Sequence, residues 1–216
     1  LGDYQDEEIL VIDGAQTHET DGALMMTTVS VDGGPGYRVT PVEVVAAWFD
    51  RTKMVLPREA VFPEGQTREE TTLTNTAAMS TSQQGAVAVA LDELGIDHEQ
   101  VVMIAGVEEG GAAEGTLEGG DVIVSVAGET ATDVEGFREL IRATPEGEDV
   151  QMTVRREGTE TDLEVPAEMA DGAPRMGVVL AAGYEFPMDI EIAVGNIGGP
   201  SAGMIFSLSV YDQLTP

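Results

Sequence analysis

The 216 residues include no cysteine. That excludes disulfides, thiolate metal sites and a cysteine nucleophile, and it leaves the redox compartment open. Basic side chains are also scarce: ten stand against forty acidic ones, for a formal charge of −30. A field of that sign repels nucleic acid and anionic lipid surfaces, so neither is expected as a direct partner. No apolar run approaches the ~20 residues a membrane span needs, and no direct membrane contact is expected from this chain. His18 and His98 each precede a glutamate, but no second histidine stands at ligand spacing, so neither pair makes an H-E-x-x-H motif. Both read as surface residues, and no metal or cofactor is expected. The first residue is Leu1 and no signal-like segment follows. That reads as a processed or trimmed product, and an export signal or anchor, if there is one, is expected upstream.

What is present is globular. Hydrophobic residues make up 42% of the chain, enough for a sizeable core at this length. The acid is spread along the whole chain and forms no tail, as on a solvated surface suited to salty surroundings. "EEILVIDG" and "ALMMTTVSVDGG" read as strands closed by glycine turns. "TPVEVVAAWFD" opens on a capping box, Thr40 to Glu43, with Pro41 at the first helical position. Val42, Val45, Trp48 and Phe49 share one face of that helix. A second capping box, Thr67 to Glu70, starts another helical stretch. Polar "STSQQ" at residues 80–84 divides it into two helices, and Gly95 ends the second.

From about residue 100 the pattern changes. "VVMIAGV" is a short apolar strand, and "EEGGAAEGTLEGGD" a glycine-rich loop. "VIVSVAGE" is a second strand. Thr132 to Glu135 is a third capping box, before a helix with Val134, Phe137 and Ile141 on one face. "DVQMTVRREGTETDLEV" is a hairpin turning near Gly158. In that order these segments resemble a PDZ domain, the match lying in "GGAAEGTLEGGDVIVSVAGE" and "FRELIRATPEGEDVQMTVRREG". The resemblance implies peptide binding by strand addition, in a groove between "VVMIAGV" and the helix after Asp133. Val101, Val102, Ile104, Val134 and Phe137 would line it, with a carboxylate-gripping loop at residues 94–96.

"FPMDIEIAVG" alternates Met188, Ile190, Ile192 and Val194 against polar neighbours, as in a half-buried strand. "GNIGGPSAG" follows, then a helix with Met204, Ile205, Leu208 and Tyr211 along one stripe. A serine between a tight glycine turn and a helix sits where free backbone N–H groups can receive an oxyanion. Gly198, Gly199, Ala202 and Gly203 leave room for a substrate backbone, and Pro200 fixes the turn. A serine before a helix is also an ordinary N-cap. "GPSAG" after an alternating strand resembles the proteolytic domain of Lon peptidases. "DGALMMTTVSV", "SQQGAVAVALDELG", the PDZ segment and "GGPSAGMIFSLSVYDQLTP" together resemble the membrane-anchored, PDZ-containing Lon-like proteases of bacteria.

That resemblance implies an α+β chain in three parts. Residues 1–97 would be an α/β segment, 98–167 the PDZ domain, and 168–216 the first part of a Lon-like proteolytic domain. It further implies Ser201 as nucleophile, with Gly199, Pro200 and Ala202 at the oxyanion and substrate approach, and a lysine as its base. That lysine lies after the serine in the family and is absent here. The single lysine, Lys53, matches no catalytic motif, so the chain by itself is expected to be inactive. The parent would be an endopeptidase acting on peptides or proteins outside the cytoplasm, in a homo-oligomeric ring, with no ATP-binding loop in this chain. The alternative is a non-catalytic PDZ scaffold.

Overall fold

The computed structural model describes residues 3–4, 7–19, 22, 24–62, 65–170, 172–195 and 197–216. The fold is α+β, as expected. Strands β1 (Asp3–Tyr4) and β2 (Glu7–Glu8) form a minimal antiparallel pair. Strand β3 (Leu10–Asp13) alternates buried and exposed positions, as a strand with one covered face must. Residues 24–31 form no strand. Alternation alone does not make a strand, because the backbone needs a ladder partner, and none pairs with them among the described residues.

Helix α1 (Pro41–Phe49) begins where its capping box predicts. The Glu43 carboxylate accepts the Thr40 N–H at 2.6 Å and the Thr40 Oγ1–H at 2.8 Å. These bonds hold the Glu43 carboxyl below its usual range. The box is therefore whole at neutral pH and is lost as pH falls through that depressed value. The apolar side of α1 is uncovered: Trp48 is 69% and Phe49 85% exposed, and no residue of the helix is buried.

Helix α2 (Arg68–Leu94) is one unbroken helix of 27 residues, not two. Thr67 and Glu70 cap its start, and Gly95 ends it in the left-handed region at φ 67°. The run read as a break is where the helix is tied to its surroundings. Thr81 Oγ1 donates to the Ala77 carbonyl at 2.8 Å. Ser82 Oγ donates to the Pro200 carbonyl and Gln83 Nε2 to the Ile192 carbonyl, each at 3.0 Å. Gln84 Oε1 accepts the Tyr184 N–H at 3.0 Å. Tertiary partners override a local preference for a break.

Next come β4 (Glu99–Val107), β5 (Val122–Val126), α3 (Val134–Arg142), β6 (Val150–Arg156) and β7 (Thr159–Val165). Short strands β8 (Glu168–Ala170) and β9 (Ala173–Arg175) pair as a hairpin and lead into β10 (Val178–Glu185). Helix α3 is capped by Asp133, whose carboxylate accepts the Gly136 N–H at 2.8 Å, rather than by Thr132. Strands β6 and β7 turn at Glu157 and Gly158, both at positive φ, the two-residue turn that suits strand twist.

The resulting antiparallel sheet has the order β10-β4-β5-β6-β7. Its fifth strand thus comes from beyond residue 167, the expected end of this unit. One face packs Val102, Ile104, Leu180, Ile123 and Val154 against Phe137 and Ile141 of α3. The other face packs Met103, Ala105, Val179 and Ala181 against Ala77 of α2. At the sheet's rim the fully buried Asp121 carboxylate accepts Arg156 Nε and Nη2, both at 2.7 Å, and the Glu118 N–H at 2.9 Å.

Strand β11 (Asp189–Ile192) pairs antiparallel with β3, and α4 (Gly203–Leu214) packs on α2. Together with α2 they enclose a second core of Leu10, Val87, Leu91, Phe206 and Val210. The buried side of α4 is Phe206, Ser209 and Val210. The predicted stripe is mostly outside, with Met204 at 74% and Leu208 and Tyr211 also exposed. The helix has two apolar stripes, and the one carrying Phe206 meets the small Ala86 and Ala90 of α2. Ser209 is satisfied in that core by its bond to the Ile205 carbonyl.

The Arg156–Asp121 pair makes a direct test of the sheet. Arg156→Met leaves a buried carboxylate with one N–H partner and is expected to destabilise the fold by about 3 kcal/mol. Urea unfolding should show a lower midpoint with an unchanged slope.

Candidate functional site

Among the described residues β4 is an interior strand and does not offer the edge that the expected groove needs. One edge of β4 pairs with β10 along its whole length, and the other carries β5. The β5 side is closed by the Ile104 N–H to Asp121 carbonyl and Gly120 N–H to Ile104 carbonyl bonds, both 2.8 Å. Val102, Ile104 and Phe137 are buried in the core, Val101 lies within the β4–β10 ladder, and Val134 packs against the core. None of these five lines the cleft described below. Residues 94–96 serve as the C-cap of α2, with Ile96 N–H bonded to the Leu91 carbonyl. A peptide strand needs a free edge, and the free edge of this sheet near α3 is that of β10.

A cleft of about 310 Å³ opens there. Arg138, Ile141 and Arg142 of α3 form one wall, and Val178 and Leu180 of β10 the other. The turn of Arg175, Met176 and Gly177 closes one end. Gly177 is at φ +75°, and a Cβ there would lie 3.1 Å from the Glu108 carboxylate and 3.2 Å from the Gly111 Cα. The turn's carbonyls are engaged on one side: Met176 accepts the Ala113 N–H at 2.9 Å and Gly177 the Glu108 N–H at 2.7 Å. Because a trans peptide plane points its N–H opposite to its C=O, the N–H groups of Gly177 and Val178 face away from β4 and its loop. Successive outward N–H groups make an anion-binding concavity.

Three of the ten basic residues meet at this cleft in a chain of charge −30. Glu135 accepts Arg142 Nη1 at 2.8 Å and Arg138 Nη1 at 3.5 Å. Arg175 Nη2 reaches Glu108 at 3.3 Å. Arg142 chiefly holds the Glu135 carboxyl below its usual range. These pairs persist at neutral pH and weaken as pH falls through that lowered value. All three guanidiniums keep much of their surface in water, so their remaining donors are open to a ligand. No sequence pattern marked this loop, because its role depends on β10 crossing back to pair with β4.

The Ser201 turn is the second candidate named by the sequence. Gly199 sits at φ 96°, ψ 155°, a conformation open essentially to glycine alone. Pro200–Ala202 form a single 3-10 turn leading into α4. Ser201 is exposed and Ala202 buried. Neither helical segment has a side-chain cap bond, so Ser201 is not an N-cap by hydrogen bonding. The turn is pinned to α2. Gly199 N–H donates to the Asn75 carbonyl at 3.1 Å, and Ser82 holds the Pro200 carbonyl. A Cβ on Gly198 would lie 2.9 Å from Asn75 Cβ, and one on Gly203 2.8 Å from Ser82 Oγ. A second cleft, of about 540 Å³, runs from Thr74, Ala78 and Ser82 to Val179 and Pro200.

No hydrogen bond to the Ser201 hydroxyl is made among the described residues, and Lys53 stands exposed beyond α1. His98 packs edge-on against Tyr184 at 5.1 Å and against Phe186, as part of an aromatic cluster. Among the described residues no group of three or more His, Asp or Glu is placed to hold a metal ion. No helix there is long and apolar enough to cross a membrane.

A family model described as PDZ domain matches residues 83–167. The chain contains a PDZ domain. Among solved structures it is similar to the PDZ domain of the SdrC-like protein from Listeria innocua. Identity is 21%, covering 37% of this chain and 92% of that one, with a TM-score of 0.34. No curated protein matches the chain.

The close fit of the Ser201 turn on α2 is testable. Gly198→Val forces its Cβ against Asn75 and is expected to cost about 1–2 kcal/mol by overpacking. The amides of Gly199, Ser201 and Ala202 should exchange faster with deuterium, while those of β4 to β7 keep their protection.

Proposed function

We propose that this chain captures the C-terminal tail of a peptide or protein, adding it as a sixth strand on the free edge of β10 beneath α3. The observation that carries this reading is the union of that edge with the Met176–Gly177 turn, whose outward N–H groups suit a terminal carboxylate. The PDZ match supports it, since such domains are peptide-binding modules. With its carboxylate at the turn, the tail runs antiparallel to β10. Main-chain bonds supply affinity, and alternate side chains face the cleft. A last residue such as leucine would cover Ile141 and Leu180, a burial worth roughly 2 kcal/mol. Each charge-assisted bond from the turn to the carboxylate adds about 1.5–3 kcal/mol.

A second reading concerns Ser201. Its exposed place on a pinned glycine turn at the start of α4 suits the nucleophile of a Lon-like Ser-Lys peptidase. Ser201 would attack the carbonyl, and amides at the start of α4 would receive the oxyanion. The base would be an amine kept neutral by burial. Exposed Lys53 does not fit that role, so this reading needs a lysine from outside these 216 residues. On it the protein would cleave peptides on the outer side of a bacterial membrane.

Two measurements separate the readings. Fluorescence anisotropy with a labelled peptide ending in leucine should show saturable binding, at least tenfold weaker for the C-terminal amide. Ile141→Glu should abolish it, and equal binding of acid and amide would overturn tail capture. For Ser201, the chain alone should take up no fluorophosphonate. Labelling lost in Ser201→Ala would show that a base already reaches the serine.

A further inference from the structure

We infer that the β10–α3 groove selects acidic tails: peptides with an apolar last residue and one or more carboxylates among the residues just before it. This rests on the tail-capture reading and names its ligand class. Arg138, Arg142 and Arg175 line a single cleft together with one carboxylate, Glu108, which pairs with Arg175, in a chain where acidic residues outnumber basic ones four to one. A general solvated surface does not need three guanidiniums at one place, and one terminal carboxylate does not use them all.

The geometry says which donors are to spare. The carboxylate is served by the turn's N–H groups. Arg138 and Arg142 share one acceptor, Glu135, at 3.5 and 2.8 Å, so two positive charges face one negative charge on the open side of α3. Arg138 is the more loosely held. Four residues apart, the two arginines stand on one face of the helix, bordering the apolar wall made by Ile141 and Leu180. A strand laid along β10 places alternate side chains toward α3. An acidic side chain upstream of the apolar residue therefore comes within reach of that pair, whereas a lysine there adds a third cation. The net charge of −30 repels an acidic ligand at long range, so a local basic cluster is what favours its docking here.

The test uses the whole chain and three labelled peptides that share an apolar last residue with a free carboxylate. They differ upstream, carrying Asp and Glu, Asn and Gln, or lysine. At low salt the acidic tail should bind about five- to tenfold tighter than the amide-bearing one, as two exposed ion pairs would give. The lysine tail should bind weakest. High salt should close the gap. In Arg138→Gln/Arg142→Gln the acidic-to-neutral ratio should fall to near one, with folding checked by circular dichroism. Glu135→Gln, which frees both arginines, should raise the ratio about twofold. Equal binding of acidic and neutral tails in the unmodified chain would overturn the selectivity and leave tail capture standing. Failure of every tail to bind would overturn both.

Discussion

The structure depends on α2 lying between two cores. Ala77 takes the outer face of β4 and β10, and Gly106 admits Leu73 because any Cβ there would come within 3.0 Å of it. Two turns further on, Ala86, Val87, Ala90 and Leu91 meet β3 and α4. Small residues let these four elements approach one helix closely, and close packing makes such a seat intolerant of added volume. The polar residues at its centre finish the job by satisfying backbone groups of Pro200, Ile192 and Tyr184. A helix with partners on several sides cannot follow a simple amphipathic pattern.

Both candidate sites inherit their geometry from that helix. Strand β10 rests on α2 through Val179 and Ala181 while turning Val178 and Leu180 toward α3. Its ladder with β4 leaves one edge open. The Ser201 turn rests on the same helix through Asn75 and Ser82. Val179 and Pro200 border the same cleft from opposite sides. The edge that would hold a peptide and the turn that carries the serine are thus fixed to one rigid element.

Charge works at two scales. Over the whole molecule the excess of acid governs which partners can approach. Locally, a few arginines decide specific outcomes. Arg156 neutralises the buried Asp121 at the sheet rim, where an unpaired carboxylate would be costly. Arg138, Arg142 and Arg175 make one basic place on an acidic surface. In a screened medium the nearest charges dominate, so composition alone does not describe the cleft.

Much of this could be read from the residues. The capping boxes at Thr40 and Thr67, the stop at Gly95, the Glu157–Gly158 hairpin and the alternation of Ile190 and Ile192 are short-range matters. Each depends on a few neighbours in the chain, and each stands where the pattern predicts. The PDZ segment was legible for the same reason: its strands, helix and hairpin follow one another closely. Tertiary structure decided the rest. Whether residues 80–84 break a helix depended on acceptors more than a hundred positions away. Which stripe of α4 is buried depended on the alanines it meets on α2. The place of the candidate groove depended on β10 returning to pair with β4, which took up the β4 edge, left Val102 and Ile104 buried, and opened an edge that no local pattern marks. Local hydrogen bonding and periodicity are encoded in adjacent residues, while the choice between two apolar faces or two strand edges is made only when distant segments compete for the same surface.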